Sequence, residues 1–197
     1  FSWLVREGHI EKSPSSAMQR PINADTGPPK IFLAQEAEQL LRTALELDPP
    51  FAKYFAIGLF AGVRPHEIGR LKASDISDRY IEISARTAKT RKRRLVTVLP
   101  NLREWLRVSE ELPIKNKQKR FEKAVKAAGL NWAHDIMRHS YASYHLTQFE
   151  SADKTALEMG HRDTQMLFRH YRELVKYEDS KQYWDIRPRK DINIKCE

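Results

Sequence analysis

Apolar positions along the chain recur mostly at helical spacing, with one stretch of strand-like alternation in the middle. Leu40, Leu41 and Leu45 share one face of a segment from about Ala34 to Leu47, with Leu33 leading in and Pro49–Pro50 punctuating its end. Phe51, Tyr54, Phe55, Gly58 and Leu59 recur at i, i+3, i+4, i+7 and i+8, which predicts a core helix starting near Phe51 and ending at Gly62. Pro65 suits the first turn of the next helix, through Leu71, and puts Arg64 at a helix–helix junction. Residues 80–84 (YIEIS) and 94–99 (RLVTVL) alternate or are rich in β-branched residues and predict two antiparallel strands. Asn101 followed by Glu104 reads as a capping box opening a helix through Leu106–Val108. Phe121, Ala124, Val125 and Ala128 mark a further helix closed by Gly129. Helices are then expected over about 135–149, 151–159 and 164–175.

The flanks differ from this body. Phe1, Leu4 and Val5 have helical spacing that stops at Gly8, the end of a helix whose packing partners would precede residue 1. The chain starts at Phe1 rather than Met and reads as a piece of a longer protein. Residues 13–30 hold four of the ten prolines, a linker composition. The division expected is a tail of a preceding domain plus linker over 1–25, a main domain over 26–175, and a polar tail over 176–197 carrying Tyr183 and Trp184. That tail is either a docking segment between protomers or a terminus packed on its own domain.

Charge narrows the partners. The formal net charge is +9, which favours a polyanion, nucleic acid before a membrane surface. No apolar run approaches the length of a membrane span. The single cysteine, Cys196, excludes an internal disulfide framework and any Cys-based zinc site, and no HExxH-like pair occurs among the seven histidines. Between the two strands, six of the nine residues from Arg86 to Arg94 are Lys or Arg, where a solvated hairpin more often mixes signs.

Several residues could together act on a phosphodiester. Displacement at phosphorus builds negative charge on the non-bridging oxygens, and a guanidinium is always charged and binds two oxygens at once. Arg64 and Arg138 are the candidates. The phenol of Tyr171 is a candidate nucleophile, giving a covalent phosphotyrosine. Lys89 in the basic hairpin is the candidate general acid for the leaving sugar oxygen, and His161, after the Gly160 corner, the candidate hydrogen-bond donor to the phosphate. None of this needs a metal or a cofactor. Singly, each residue has a plainer explanation: a salt-bridged arginine, a solvated lysine, a boundary tyrosine, a capping histidine. Their order and context carry the argument.

That order resembles the catalytic domain of the tyrosine recombinases, the phage integrase family, over roughly residues 30–175. GVRPHEIGRL matches the family's first arginine motif, with Arg64 as first catalytic arginine and Glu67 as its acidic support. AKTRKRRLV matches the lysine hairpin, with Lys89 in the catalytic role and Arg94 trailing. RHSYAS matches the second arginine box at Arg138, MGH the late histidine at His161, and Tyr171 the nucleophile. Two departures stand out. The family's histidine three residues before the second arginine is here Asp135, with His134 one residue earlier, so either His134 reaches in or Asp135 replaces it. The gap from late histidine to tyrosine is ten residues, where the family usually has nine.

The resemblance implies a mainly α fold with a small antiparallel β-sheet (α+β), and residues 1–25 as the end of a core-binding domain. It implies site-specific DNA recombination through a 3′-phosphotyrosine. The partners implied are double-stranded DNA, touched by Arg86, Arg91, Lys92, Arg93 and Arg94, further protomers in a synaptic tetramer, and accessory DNA-bending proteins. The setting implied is the bacterial cytoplasm, in a host- or phage-encoded protein. Two alternatives keep the same fold: a DNA-binding regulator without catalysis, and a topoisomerase-like nicking and resealing enzyme.

Overall fold

The computed structural model describes residues 1–18, 28–86, 88, 92–112, 114–160 and 175–189. Helices are α1 (Ser2–Arg6), α2 (Ala34–Leu47), α3 (Pro49–Ala61), α4 (Pro65–Ile68), α5 (Pro100–Leu106), α6 (Lys117–Ala128), α7 (Ile136–Phe149), α8 (Ala152–Met159) and α9 (Tyr177–Trp184). Strands β1 (Tyr80–Ile83) and β2 (Arg94–Thr97) form an antiparallel pair with Tyr80 opposite Thr97 and Ile83 opposite Arg94. The architecture is mainly helical with one small antiparallel sheet.

Helix α3 is the centre. Every residue from Phe51 to Ala61 is buried, Lys53 among them, so the apolar stripe expected from spacing is in fact a helix buried all round. It starts two residues earlier than spacing predicts. Pro49 and Pro50 occupy its first turn, where missing N–H groups cost nothing, and the Asp48 carboxylate accepts from Phe51 N at 3.3 Å. Helices α2, α5 and α7 pack against α3, α6 packs on α2, and α9 lies on α7 and α2. Fully burying each of Phe55 and Phe60 contributes about 1.5–3 kcal/mol. At Gly58 α3 lies close to α7: an added Cβ would be 2.7 Å from the Met137 sulfur, so that side chain would have to move.

The end of α3 sets up the site. Gly62 is left-handed (φ +59), and a Cβ there would sit 2.4 Å from the Tyr141 ring. No other residue type fits without moving α7. The chain then reverses directly into α4. That helix is one turn long instead of reaching Leu71, which is buried beyond it.

One expectation changes. Asn101 does not cap α5. Pro100 takes the first helical position, Leu99 is the N-cap, and Asn101 is buried with Nδ2 unpartnered among the described residues. Of the tail's two readings, the aromatic pair packs on its own domain: Tyr183 is core, stacks on Tyr144 at 3.8 Å and donates to Leu59 O at 2.7 Å, and the partly buried Trp184 packs beside it. No residue of α1 is buried. The helix expected over 164–175 lies outside the described residues but for its last position. No helix among the described residues is long and apolar enough to cross a membrane.

Candidate active site: a buried arginine cluster

Arg64, Glu67, Arg94 and Arg138 come from three elements, α4 with its N-cap, β2 and α7, and meet at the end of α3. Arg64 is the N-cap of α4, and Glu67, three residues on, turns back so that its carboxylate accepts from Arg64 N at 3.2 Å. Glu67 is fully buried. The Arg94 guanidinium grips it in a two-pronged pair, Nη1 to Oε1 at 3.1 Å and Nη2 to Oε2 at 2.6 Å. Burial alone would raise the Glu67 carboxyl, but the Arg94 hydrogen bonds and charge, with Arg64, hold it below the usual carboxylate range.

Arg138, in the first turn of α7, is 5% exposed and has no carboxylate in hydrogen-bonding contact among the described residues. Its guanidinium donates to the carbonyls of Gly62 and Met159, each at 2.5 Å, and so ties the end of α3 to the end of α8. Burial, and then the charges of Arg64 and Arg94, push its pKa down to about 9, with Glu67 and Asp135 opposing. Arg64 Nη1 is buried, makes no hydrogen bond among the described residues and lies 3.6 Å from Glu67 Oε1. Among the described residues, three guanidiniums thus face one buried carboxylate, Glu67, and the partly exposed Asp135. That surplus of positive charge in a low-dielectric setting is what an anion would neutralise.

The remaining candidates fall into three groups. Lys89, Arg91, His161 and Tyr171 lie outside the described residues, although Ala88, Lys92 and Gly160, which adjoin the first three, are described. Ala88 is buried and donates to Ser84 O at 2.9 Å, and Gly160 is left-handed with its α-carbon over Arg94, where a Cβ would be 3.2 Å from Cδ. The segments carrying Lys89 and His161 therefore leave from anchored points, the second of them at the arginine cluster. Arg86, Lys92 and Arg93 are exposed, Arg93 in a two-pronged surface pair with Glu82. Arg94 departs from the DNA-facing strip expected of it. It is 8% exposed, because on β2 it shares the inward face with Val96. The period-two alternation of RLVT was the signal for this.

His134 is not brought to the cluster. Asp135 is left-handed (φ +53) just before α7, and that turn leaves the His134 side chain 94% exposed. Of the two residues it is Asp135 whose charge favours protonated Arg138. Sequence reasoning also missed Glu158, buried one residue before the Met159 carbonyl. Its place beside the buried Thr155, Ala156 and Met159 positions on α8 was the available hint. No group of three metal-ligating side chains occurs among the described residues.

No protein-family model and no curated protein matches the chain. Solved structures do. The catalytic domain of bacteriophage HP1 integrase superposes with a TM-score of 0.61 at 20% identity, over 72% of this chain and 86% of that one. The fold is that of an integrase catalytic domain. XerA recombinase gives 0.60 at 19% identity over 94% and 72%, and a lambda integrase dimer bound to a COC′ core site gives 0.58 at 20% over 84% and 69%. Likeness at this level of identity establishes the integrase fold, and chemistry has to be argued from the site.

Proposed function

We propose that the chain is the catalytic domain of a tyrosine site-specific recombinase that cleaves and rejoins duplex DNA. The observation that carries this reading is the buried arginine cluster, above all Arg64 Nη1, which makes no hydrogen bond among the described residues, beside the buried Arg138. Arg64 and Arg138 bind the non-bridging oxygens of the scissile phosphate and stabilise the charge that grows on them. The Tyr171 phenol gives up its proton to solvent water and forms the new P–O bond as the bond to the 5′ oxygen breaks. Lys89 delivers the proton that this oxygen needs, leaving a 3′-phosphotyrosine and a 5′-hydroxyl that later attacks in the partner duplex. His161, following Gly160, donates to the same phosphate. Glu67 and Arg94 hold Arg64 from behind. Arg86, Lys92 and Arg93 add backbone contacts that weaken as salt rises. Four protomers on two DNA sites make up the reacting assembly, and the DNA-bound lambda integrase structure supports DNA as the partner.

A regulator that binds DNA without cutting it is the second reading. It is favoured by the exposed His134 and by Asp135 standing where a histidine would serve. Nicked suicide duplexes cut from the DNA flanking the protein's own gene separate the two. Wild type yields a denaturation-resistant adduct and Tyr171→Phe yields none. DNA binding with no adduct from either protein supports the regulator.

A further inference from the structure

Behind the arginine cluster lies a buried polar network that the proposed chemistry does not use. Glu158, next to last in α8, has both carboxylate oxygens occupied: Oε1 accepts from Thr97 Oγ1 of β2 at 2.6 Å, and Oε2 from the Tyr141 hydroxyl of α7 at 2.5 Å. His145, one turn further along α7, places Nε2 3.7 Å from Oε2. Thr155 spends its hydroxyl proton on Ser151 O, so His145 Nδ1 is the donor in their 2.7 Å contact. Burial, and then Lys154, push His145 down to about 3, so the ring is neutral at neutral pH.

The backbone of the same residue pair reaches the site. Glu158 O accepts from Arg94 Nε at 2.9 Å, and Met159 O from Arg138 Nη2 at 2.5 Å. The end of α8 does not need a carboxylate in order to form, since left-handed Gly160 terminates it and buried Met159 packs it. Burying an acid is costly, and an apolar side chain would pack there at lower cost. What the carboxylate adds is direction. Two hydrogen bonds from two different elements fix the rotation of the last turn of α8, and with it the aim of both carbonyls. We propose that Glu158 is a positioning residue: clamped by Thr97 and Tyr141, it orients the carbonyls that hold Arg94 and Arg138, and so preorganises the arginine cluster.

The proposal rests on the recombinase reading only where a cleavage rate is measured. Tyr141→Phe and Thr97→Val each remove one donor and keep the shape of the side chain. Hydrogen exchange at Arg94 Nε–H, followed by NMR in the folded chain, should speed up about tenfold in either variant, in line with the loss of one charge-assisted hydrogen bond. Single-turnover cleavage of the suicide duplex should fall about tenfold with the DNA Kd unchanged. Tyr141→Phe added to Arg94→Lys should slow cleavage no further than Arg94→Lys alone. Unchanged Arg94 exchange in the folded variants, or full additivity with Arg94→Lys, overturns the proposal. Should Tyr141→Phe fail to fold, Thr97→Val decides. Should wild type form no adduct, the recombinase reading falls, and Arg94 exchange alone still decides the role of Glu158.

Discussion

Two arginine sites in this molecule are built on opposite plans. Arg120, on α6, is enclosed by carboxylates. It donates to both oxygens of Asp48 at 2.7 and 2.5 Å and to Glu111 Oε1 at 2.6 Å, and its guanidinium lies over the Phe51 ring. Hydrogen bonds to Asp48, and then to Glu111, raise its pKa above the ordinary value. Arg138 is more deeply buried, is held by two neutral carbonyls, and is pushed down to about 9 by burial and by its neighbours Arg64 and Arg94. The first site is electrostatically complete and joins α6 to the start of α3. The second is left with an excess of charge that destabilises the chain alone and suits a bound anion. A fold tolerates such an excess where binding uses it.

The contrast can be broken or sharpened by mutation. The largest effect is expected from Glu67→Gln, which leaves Arg94 and Arg64 without their shared buried carboxylate. Loss of one partner of such a pair costs about 3–5 kcal/mol, so urea unfolding should show a stability loss of that order. Next comes Arg138→Ala. Removing one donor to the developing charge slows reaction by about 10²–10³, and single-turnover adduct formation should drop by that factor or more. Gly62→Ala should follow. A left-handed non-glycine backbone costs about 1–3 kcal/mol, and the new Cβ would also meet the Tyr141 ring at 2.4 Å. Its thermal midpoint should fall, with cleavage reduced because α7 must shift. The smallest effect is an anion's. Inorganic phosphate at ten times its Kd should stabilise wild type by about 1.4 kcal/mol, and Arg64→Ala by clearly less, as read by unfolding at matched ionic strength.

Much of this was legible in the sequence where local rules decide the outcome. The leucine stripe of α2 gives the same bounds as the structure, and Gly62 and Gly129 end their helices as left-handed caps. The hairpin strands fall where alternation puts them. Errors came where a residue's role depends on what another element brings. A charged residue in a basic run reads as solvent-facing, so Arg94 was assigned to DNA, although alternation with Val96 already turned it inward. Asn101 looks like a cap until Pro100 is given the first helical position. Glu158 and Tyr141 are 17 residues apart and carry no joint signal until α7 and α8 pack. In the site itself, the identity of Arg64, Glu67 and Arg138 was readable from motif order, while the surplus charge that gives them meaning appears only in three dimensions.

The most direct test pairs the two arginine sites. Arg64→Ala and Arg120→Ala are each assayed, in parallel with wild type, for unfolding free energy and for single-turnover adduct yield on the nicked suicide duplex. Arg64 Nη1 makes no hydrogen bond among the described residues, and Glu67 keeps its two-pronged pair with Arg94 when the 3.6 Å contact to Arg64 is lost, so truncation of Arg64 should leave stability within about 1 kcal/mol of wild type and lower adduct formation at least 100-fold, roughly the effect of losing one charge-stabilising donor. Arg120→Ala should show the reverse, a loss of about 1–3 kcal/mol from the stranded Asp48 and Glu111 carboxylates with cleavage at the wild-type rate. Wild-type cleavage by Arg64→Ala, or a loss of adduct that simply follows a loss of stability in both variants, would contradict the account.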